Sequence, residues 1–155
     1  MADIVSPKTR SRMMSGIKGK DTKPEVSIRQ ELHSRGYRYK LHDPTLFGKP
    51  DLVLPKYKAV IFVNGCFWHA HNCHLFKWPK SNSAFWRKKI SSNKDRDLRT
   101  KTAFSQTDWR HLTIWECAIK GKHGMPIKIL VNEIEKLLRG ESKINEISNM
   151  VDRFE

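Results

Sequence analysis

Two groups of side chains in this sequence could do chemistry. Cys66, His69, His71, Cys73 and His74 crowd one short stretch, and Cys117 stands far downstream. Two thiolates, one imidazole and a distant third thiolate make a closed Cys3His set, which suits structural zinc and would fasten an irregular loop to the segment carrying Cys117. Spacing leaves open which of His69, His71 or His74 is the ligand, and a histidine-rich loop beside an ordinary buried Cys117 is the competing reading. Three cysteines are an odd number for a disulfide framework, so free or metal-bound thiols are expected. The run His69-Ala-His71-Asn-Cys-His74 also fits the H-x-H-x-x-H pattern of metallo-β-lactamase-like hydrolases. That pattern places Asp where Cys73 stands and needs a longer chain for its layered fold, so it is rejected.

The second group centres on one carboxylate. Gly48-Lys49-Pro50-Asp51-Leu-Val-Leu sets an acid at the start of a strand, and Val60-Ile-Phe-Val63 leads straight into the histidine-rich loop. Pairing of these two runs would bring Asp51 to Val63. Hard Mg²⁺ prefers oxygen ligands and keeps several waters, so one carboxylate plus a main-chain carbonyl suffices beside substrate phosphates. A nearby imidazole could then take the proton from an attacking water. The competing reading gives Pro50-Asp51 only a turn to make. Glu25 likewise has a sufficient structural role in Thr22-Lys23-Pro24-Glu25, which reads as a capping box.

The elements that must position these residues are legible as periodicities. A short helix starting at Ser6-Pro7 is expected to stop near Gly16, and the capping box opens a second one through Leu32 to Gly36. Tyr37 to Leu41 alternates like a strand and is turned by Asp43-Pro44. Asp51–Leu54 and Lys58–Val63 are β-rich runs separated by Pro55. Residues 64–80 form an irregular segment. Ser83 to Phe104 turns helical, with Phe85, Trp86, Ile90 and Leu98 as packing positions. His111–Glu116 reads as a buried strand and Ile127–Leu138 as an amphipathic helix. This order gives an α/β fold with a central mixed β-sheet flanked by helices.

Charge narrows the partner. The 155 residues include 30 Lys or Arg against 16 Asp or Glu, and 38% are apolar. Between Asp51 and Asp95 there is no carboxylate, while eight Lys or Arg and three Trp lie in that gap. Such a field attracts polyanions through counterion release, and the interleaved aromatics suit base stacking. No apolar run approaches the ~18 residues of a membrane span, and MADIVSPKTR lacks the apolar core of a secretion signal. An intracellular nucleic-acid-binding domain with no membrane partner is expected.

At GCFWHAHNC (residues 65–73), preceded by GKPDLVL and followed by FWRKK and WECA, the sequence resembles the very short patch repair (Vsr) DNA mismatch endonucleases. The likeness extends over nearly the whole chain and is weakest after about Gly140. It implies a restriction-endonuclease-like PD-(D/E)xK variant lacking the second acidic-x-Lys element, since the strand ends Phe62-Val63-Asn64. By the family's pattern, Cys66, His71, Cys73 and Cys117 hold a structural Zn²⁺. Asp51 and the Val63 main-chain carbonyl hold Mg²⁺, with Glu25 supporting its water shell. His69 is the general base, oriented by Asp97. Asn64 stands where a histidine is frequent.

Substrate recognition follows from the same resemblance. Phe67, Trp68 and Trp86 would intercalate at a T·G mismatch from one groove, while Met14 and Ile17 enter from the minor groove. Lys89 and Asn93, four apart on one helical face, match the mismatch-contacting pair. The implied organisation is a basic DNA-embracing arm (1–20), an endonuclease domain (21–140) containing the zinc loop 64–80, and a C-terminal tail (141–155). The implied activity is a Mg²⁺-dependent nick 5′ of the T of a T·G pair left by 5-methylcytosine deamination. A monomer working in the bacterial cytoplasm at the nucleoid is expected, linked to a cytosine-5 DNA methyltransferase and a MutL-type repair factor. Two rival readings are a zinc-stabilised nucleic-acid-binding module without catalysis and an HNH-type nuclease; neither needs Asp51 and His69 beside one loop.

Overall fold

The computed structural model describes residues 22–149. In chain order these form α1 (Lys23–Ser34), β1 (Lys40–Leu41), β2 (Leu52–Leu54), β3 (Ala59–Asn64), α2 (Ser83–Ser105), β4 (Arg110–Trp115), α3 (Ile127–Leu138) and β5 (Glu146–Ile147). The five strands make one sheet in sequence order. β1, β2 and β3 are antiparallel neighbours, whereas β4 lies parallel to β3 and β5 parallel to β4. A parallel step needs a long crossover, which α2 supplies before β4 and α3 before β5.

The period-two alternation of strand side chains decides what each face of the sheet meets. Leu52, Leu54, Ala59, Ile61, Leu112 and Ile114 join the main core with Ile28 and Leu32 of α1 and with Leu130, Val131, Ile134, Leu137 and Leu138 of α3. The alternate residues Val53, Val60 and Phe62 face the other way and meet Phe104 near the end of α2. Helices therefore seal one face fully, and the other is covered mainly at one end. The functional groove opens over that thinly covered face.

Local sequence explains the ends of α1. Pro24 sits in its first turn, where its missing N–H costs nothing. Gly36 takes φ +95° just past the helix, and the Tyr37 N–H reaches back to the Leu32 carbonyl at 3.1 Å. The capping box is not formed: Thr22 occupies the N-cap position without a side-chain cap bond. Glu25 is instead buried, 1% exposed, and turned inward. Packing thus overrides a local capping preference.

Other expectations are also corrected. Tyr37 to Leu41 yields only the two-residue β1, because Tyr37 and Tyr39 pack against the core instead of pairing. In α2, Ile90 is buried, but Phe85 and Leu98 are 59% and 66% exposed. They face away from the sheet because α2 touches it only along a narrow line. Glu146–Ile147, inside the segment expected to be a tail, pairs with Thr113 and Ile114 as the edge strand. The expected N-terminal helix, with Met14 and Ile17, lies outside the described residues.

Candidate active site and metal centre

The short β2 begins only at Leu52, opposite Ile61, while β3 runs on to Asn64, so the last residues of β3 have no β2 partner on that edge. The Asp51 side chain fills the gap. Its Oδ2 accepts the Val63 N–H at 2.7 Å. A strand residue's N–H and C=O leave by the same edge, so the Val63 carbonyl is directed to the Asp51 side as well. Gly48, at φ +79°, lets the preceding loop press against α2, because a Cβ there would stand 2.6 Å from Thr100 Cγ2.

Asp51 is not alone. Glu25, His42 and Asp51 place donor atoms within 4.8 Å of one another. Glu25 Oε2 accepts from Arg29 Nη1 at 3.0 Å and lies 2.9 Å from His42 Nε2. Burial raises the Asp51 carboxyl to about 7, with the neighbouring Glu25 charge adding to the rise and the Val63 N–H opposing it. Two acids held this close favour a bound cation.

His69 follows the Gly65-Cys66 turn out of β3. Its Nδ1 is hydrogen-bonded to Asp97 Oδ2 on α2, an arrangement that leaves Nε2 as the available acceptor of a neutral ring. Asp51, Val63, His69 and Asp97 all line one groove of about 1350 Å³. Lys49, Lys89, Arg96, Arg99, Lys101 and Lys120 also line it, against only Asp51, Asp97 and Glu116 among carboxylates. Its floor takes Phe62, His111 and Thr113 from the thinly covered sheet face.

The four residues expected to bind zinc come together. Cys66, His71, Cys73 and Cys117 place donor atoms within 4.8 Å of one another. His71 Nδ1 lies 3.6 Å from Cys66 Sγ and 3.5 Å from Cys117 Sγ. A tetrahedral site with ordinary Zn–S and Zn–N bonds has ligand edges of about 3.6 Å, so the donor set fits zinc. All three thiols are free of disulfides. The Cys66 thiol pulls Cys117 down to about 3 by hydrogen bonding, helped by His71 and Asn149, so one thiolate is already favoured. Of the other histidines, His69 serves the groove, and His74 is exposed with its ring 5.1 Å from that of His123.

Around this centre lie residues that sequence reasoning missed. The Trp115 ring stacks on His71 at 4.2 Å and 11°. Buried Asn149 donates to Cys117 Sγ at 3.5 Å, and Glu116 accepts the Cys66 N–H at 3.3 Å. Trp115 and Glu116 adjoin Cys117, a usable signal; Asn149 and His42 belong to no motif.

The aromatic residues form a half-open cluster. Phe67 lies 5.3 Å from Trp68 and 5.2 Å from Trp86, ring centre to ring centre. Phe67 and Trp68 reach the groove beside Lys89 and Asn93. Asn93 donates to the Trp68 carbonyl at 2.9 Å, fixing the loop to α2. What such a groove can cut is a phosphodiester backbone, and an α/β nuclease is the class that fold and site define together.

Comparison with known proteins gives the same class and a family. Residues 2–75 match the family described as DNA mismatch endonuclease Vsr. The DNA mismatch endonuclease Vsr of Escherichia coli K12 is 37% identical over 147 residues, 95% of this chain and 94% of its own. V.NmeAIP, a type II nicking enzyme of Neisseria meningitidis serogroup A, is 43% identical over 122 residues, 79% of this chain and 87% of its own. V.XorIIP, a type II nicking enzyme of Xanthomonas oryzae, is 42% identical over 119 residues, 77% and 88% of the two chains. The chain belongs to the Vsr family of DNA mismatch endonucleases, which makes it a DNA-cutting repair enzyme and implies use of a divalent metal. No helix among the described residues is long and apolar enough to cross a membrane.

Proposed function

We propose that the protein nicks duplex DNA 5′ of the T in a T·G mismatch left by 5-methylcytosine deamination, leaving a 5′-phosphate and a 3′-hydroxyl. One observation carries this reading: Asp51 and His69 line the same basic groove, with the imidazole already tied to Asp97. Asp51 and the Val63 carbonyl hold Mg²⁺, with Glu25 supporting its water shell. The bound cation supplies Lewis-acid stabilisation of charge on the phosphate and the leaving oxygen. His69 takes the proton of the attacking water on Nε2, while Asp97 fixes the ring and stabilises the imidazolium that forms. The groove's lysines and arginines seat the phosphates on either side.

Cys66, His71, Cys73 and Cys117 hold a structural Zn²⁺ that keeps His69 over the groove. Phe67, Trp68 and Trp86 enter the base stack at the mismatch, and the half-open state of their cluster supports that role. Met14 and Ile17, on an arm comprising residues 1–20, enter from the minor groove. Lys89 and Asn93 contact the mismatched pair. Residues 21–140 form the nuclease domain and 141–155 a C-terminal tail, of which Glu146–Ile147 joins the edge of the sheet. The enzyme acts as a monomer in the bacterial cytoplasm at the nucleoid, beside a cytosine-5 DNA methyltransferase and a MutL-type factor.

A panel of end-labelled duplexes carrying T·G, T·A or C·G at one position, with varied flanking bases, tests the proposal. Mg²⁺-dependent cutting 5′ of the T in T·G duplexes alone is expected. Equal cutting of the T·A duplex would overturn it.

A further inference from the structure

His42 has no part in the mechanism above, yet several features tie it to the Asp51 carboxylate and its neighbour Glu25. It adopts a left-handed backbone at φ +48°, which a residue with a Cβ seldom takes without a compensating contact. Its main-chain N–H donates to the Asp51 carbonyl at 3.0 Å, locking the two residues to each other. Its Nε2 points at Glu25 Oε2, 2.9 Å away, a carboxylate that Arg29 also holds. Two ligands at adjacent corners of an octahedron with bonds of about 2.1 Å stand about 3.0 Å apart, so the observed spacing suits shared coordination as well as a hydrogen bond.

We propose that Glu25, His42 and Asp51 form one mixed carboxylate–imidazole cation site in which His42 is a direct ligand, so that the enzyme binds Mn²⁺ more tightly than Mg²⁺. The chemistry follows from ligand type. Mg²⁺ selects oxygen donors and gives up water reluctantly, whereas first-row transition dications gain from an imidazole. The inference rests on the reading of Asp51 as the cation ligand of the nuclease reaction, and departs from it in moving Glu25 from the water shell into direct coordination.

The test uses the full-length, zinc-loaded protein without DNA and Mn²⁺ as probe. Electron paramagnetic resonance should show Mn²⁺ binding, and pulsed spectra should carry the ¹⁴N modulation of a directly bound imidazole. His42→Gln, which keeps a hydrogen-bond donor near Glu25, should remove that modulation and weaken Mn²⁺ about tenfold or more. Mg²⁺ affinity, measured by competition, should change less than about twofold in the same variant. Loss of Mn²⁺ and Mg²⁺ affinity in equal measure, or wild-type spectra without imidazole nitrogen, would overturn the inference and leave His42 as a positioning residue for Glu25. Asp51→Asn separates the two levels. If it abolishes nicking and Mn²⁺ binding while His42→Gln changes neither, this inference fails and the reading of Asp51 stands; if it leaves nicking intact, that reading falls and takes the inference with it.

Discussion

The Asp51 carboxyl shows how a residue can cost the fold something and serve the site. Its pKa is raised in the folded protein, from 3.8 to about 7. Below the lower value the group is protonated in both states and makes no difference to stability. As pH rises to 7 the unfolded chain ionises first, so the metal-free protein should lose stability across that window and then level off. Asp51→Asn should flatten this slope and raise metal-free stability at pH 8 by about 1–2 kcal/mol, while nicking is lost. Thermal melts of both proteins between pH 4 and 8 check it; a wild-type stability that climbs over this range would contradict the assignment. Asp97→Asn makes a different prediction. The amide cannot favour the tautomer that leaves Nε2 of His69 free, so single-turnover nicking should fall roughly 10²–10⁴-fold with DNA affinity kept. An unchanged rate would remove Asp97 from the mechanism.

At the scale of elements, the loop between β3 and α2 is the part least able to hold itself. It has little regular structure, and its Cys66–Cys73 segment is tied across to Cys117 just beyond β4. Cys117→Ser should therefore lower bound zinc from about one per chain to almost none and cost roughly 3 kcal/mol or more. Metal analysis alongside a melt decides it; full stability without metal would show the loop packs unaided. These elements were largely readable from the residues. The alternation in Lys58–Val63, the uninterrupted helical run from Ser83 and the amphipathic Ile127–Leu138 each obey one local period. The failures share a cause, since each depended on a partner distant in sequence. Glu25 obeys an acid–imidazole cluster with His42 and Asp51 instead of its own helix end. Leu98 is apolar at a helical spacing yet stays mostly exposed, since no distant element buries it. Ile147 becomes a strand because β4 offers an open edge. His42 was invisible because its partners arrive from α1 and from the start of β2.

The whole molecule separates two jobs across its sheet. One face is packed by α1 and α3 into a continuous core, and the other is left open to form a basic groove. Six cations line that groove against three carboxylates, two of which, Asp97 and Glu116, are already engaged with His69 and Lys120. Binding to DNA should accordingly weaken about a thousandfold between 50 and 200 mM salt; a flat salt dependence would place the DNA elsewhere. The acid and imidazole sit in this groove because β3 feeds both, Asp51 by pairing beside its end and His69 by the loop that follows. The most direct test of that arrangement is single-turnover nicking of a T·G duplex in Mg²⁺ by the wild type, Asp51→Asn and His69→Gln, each with folding and DNA binding confirmed. A 5′-of-T nick by the wild type and a loss of at least about a thousandfold in both variants is predicted. Variants that bind the duplex and still cut it at near wild-type rate would contradict the account.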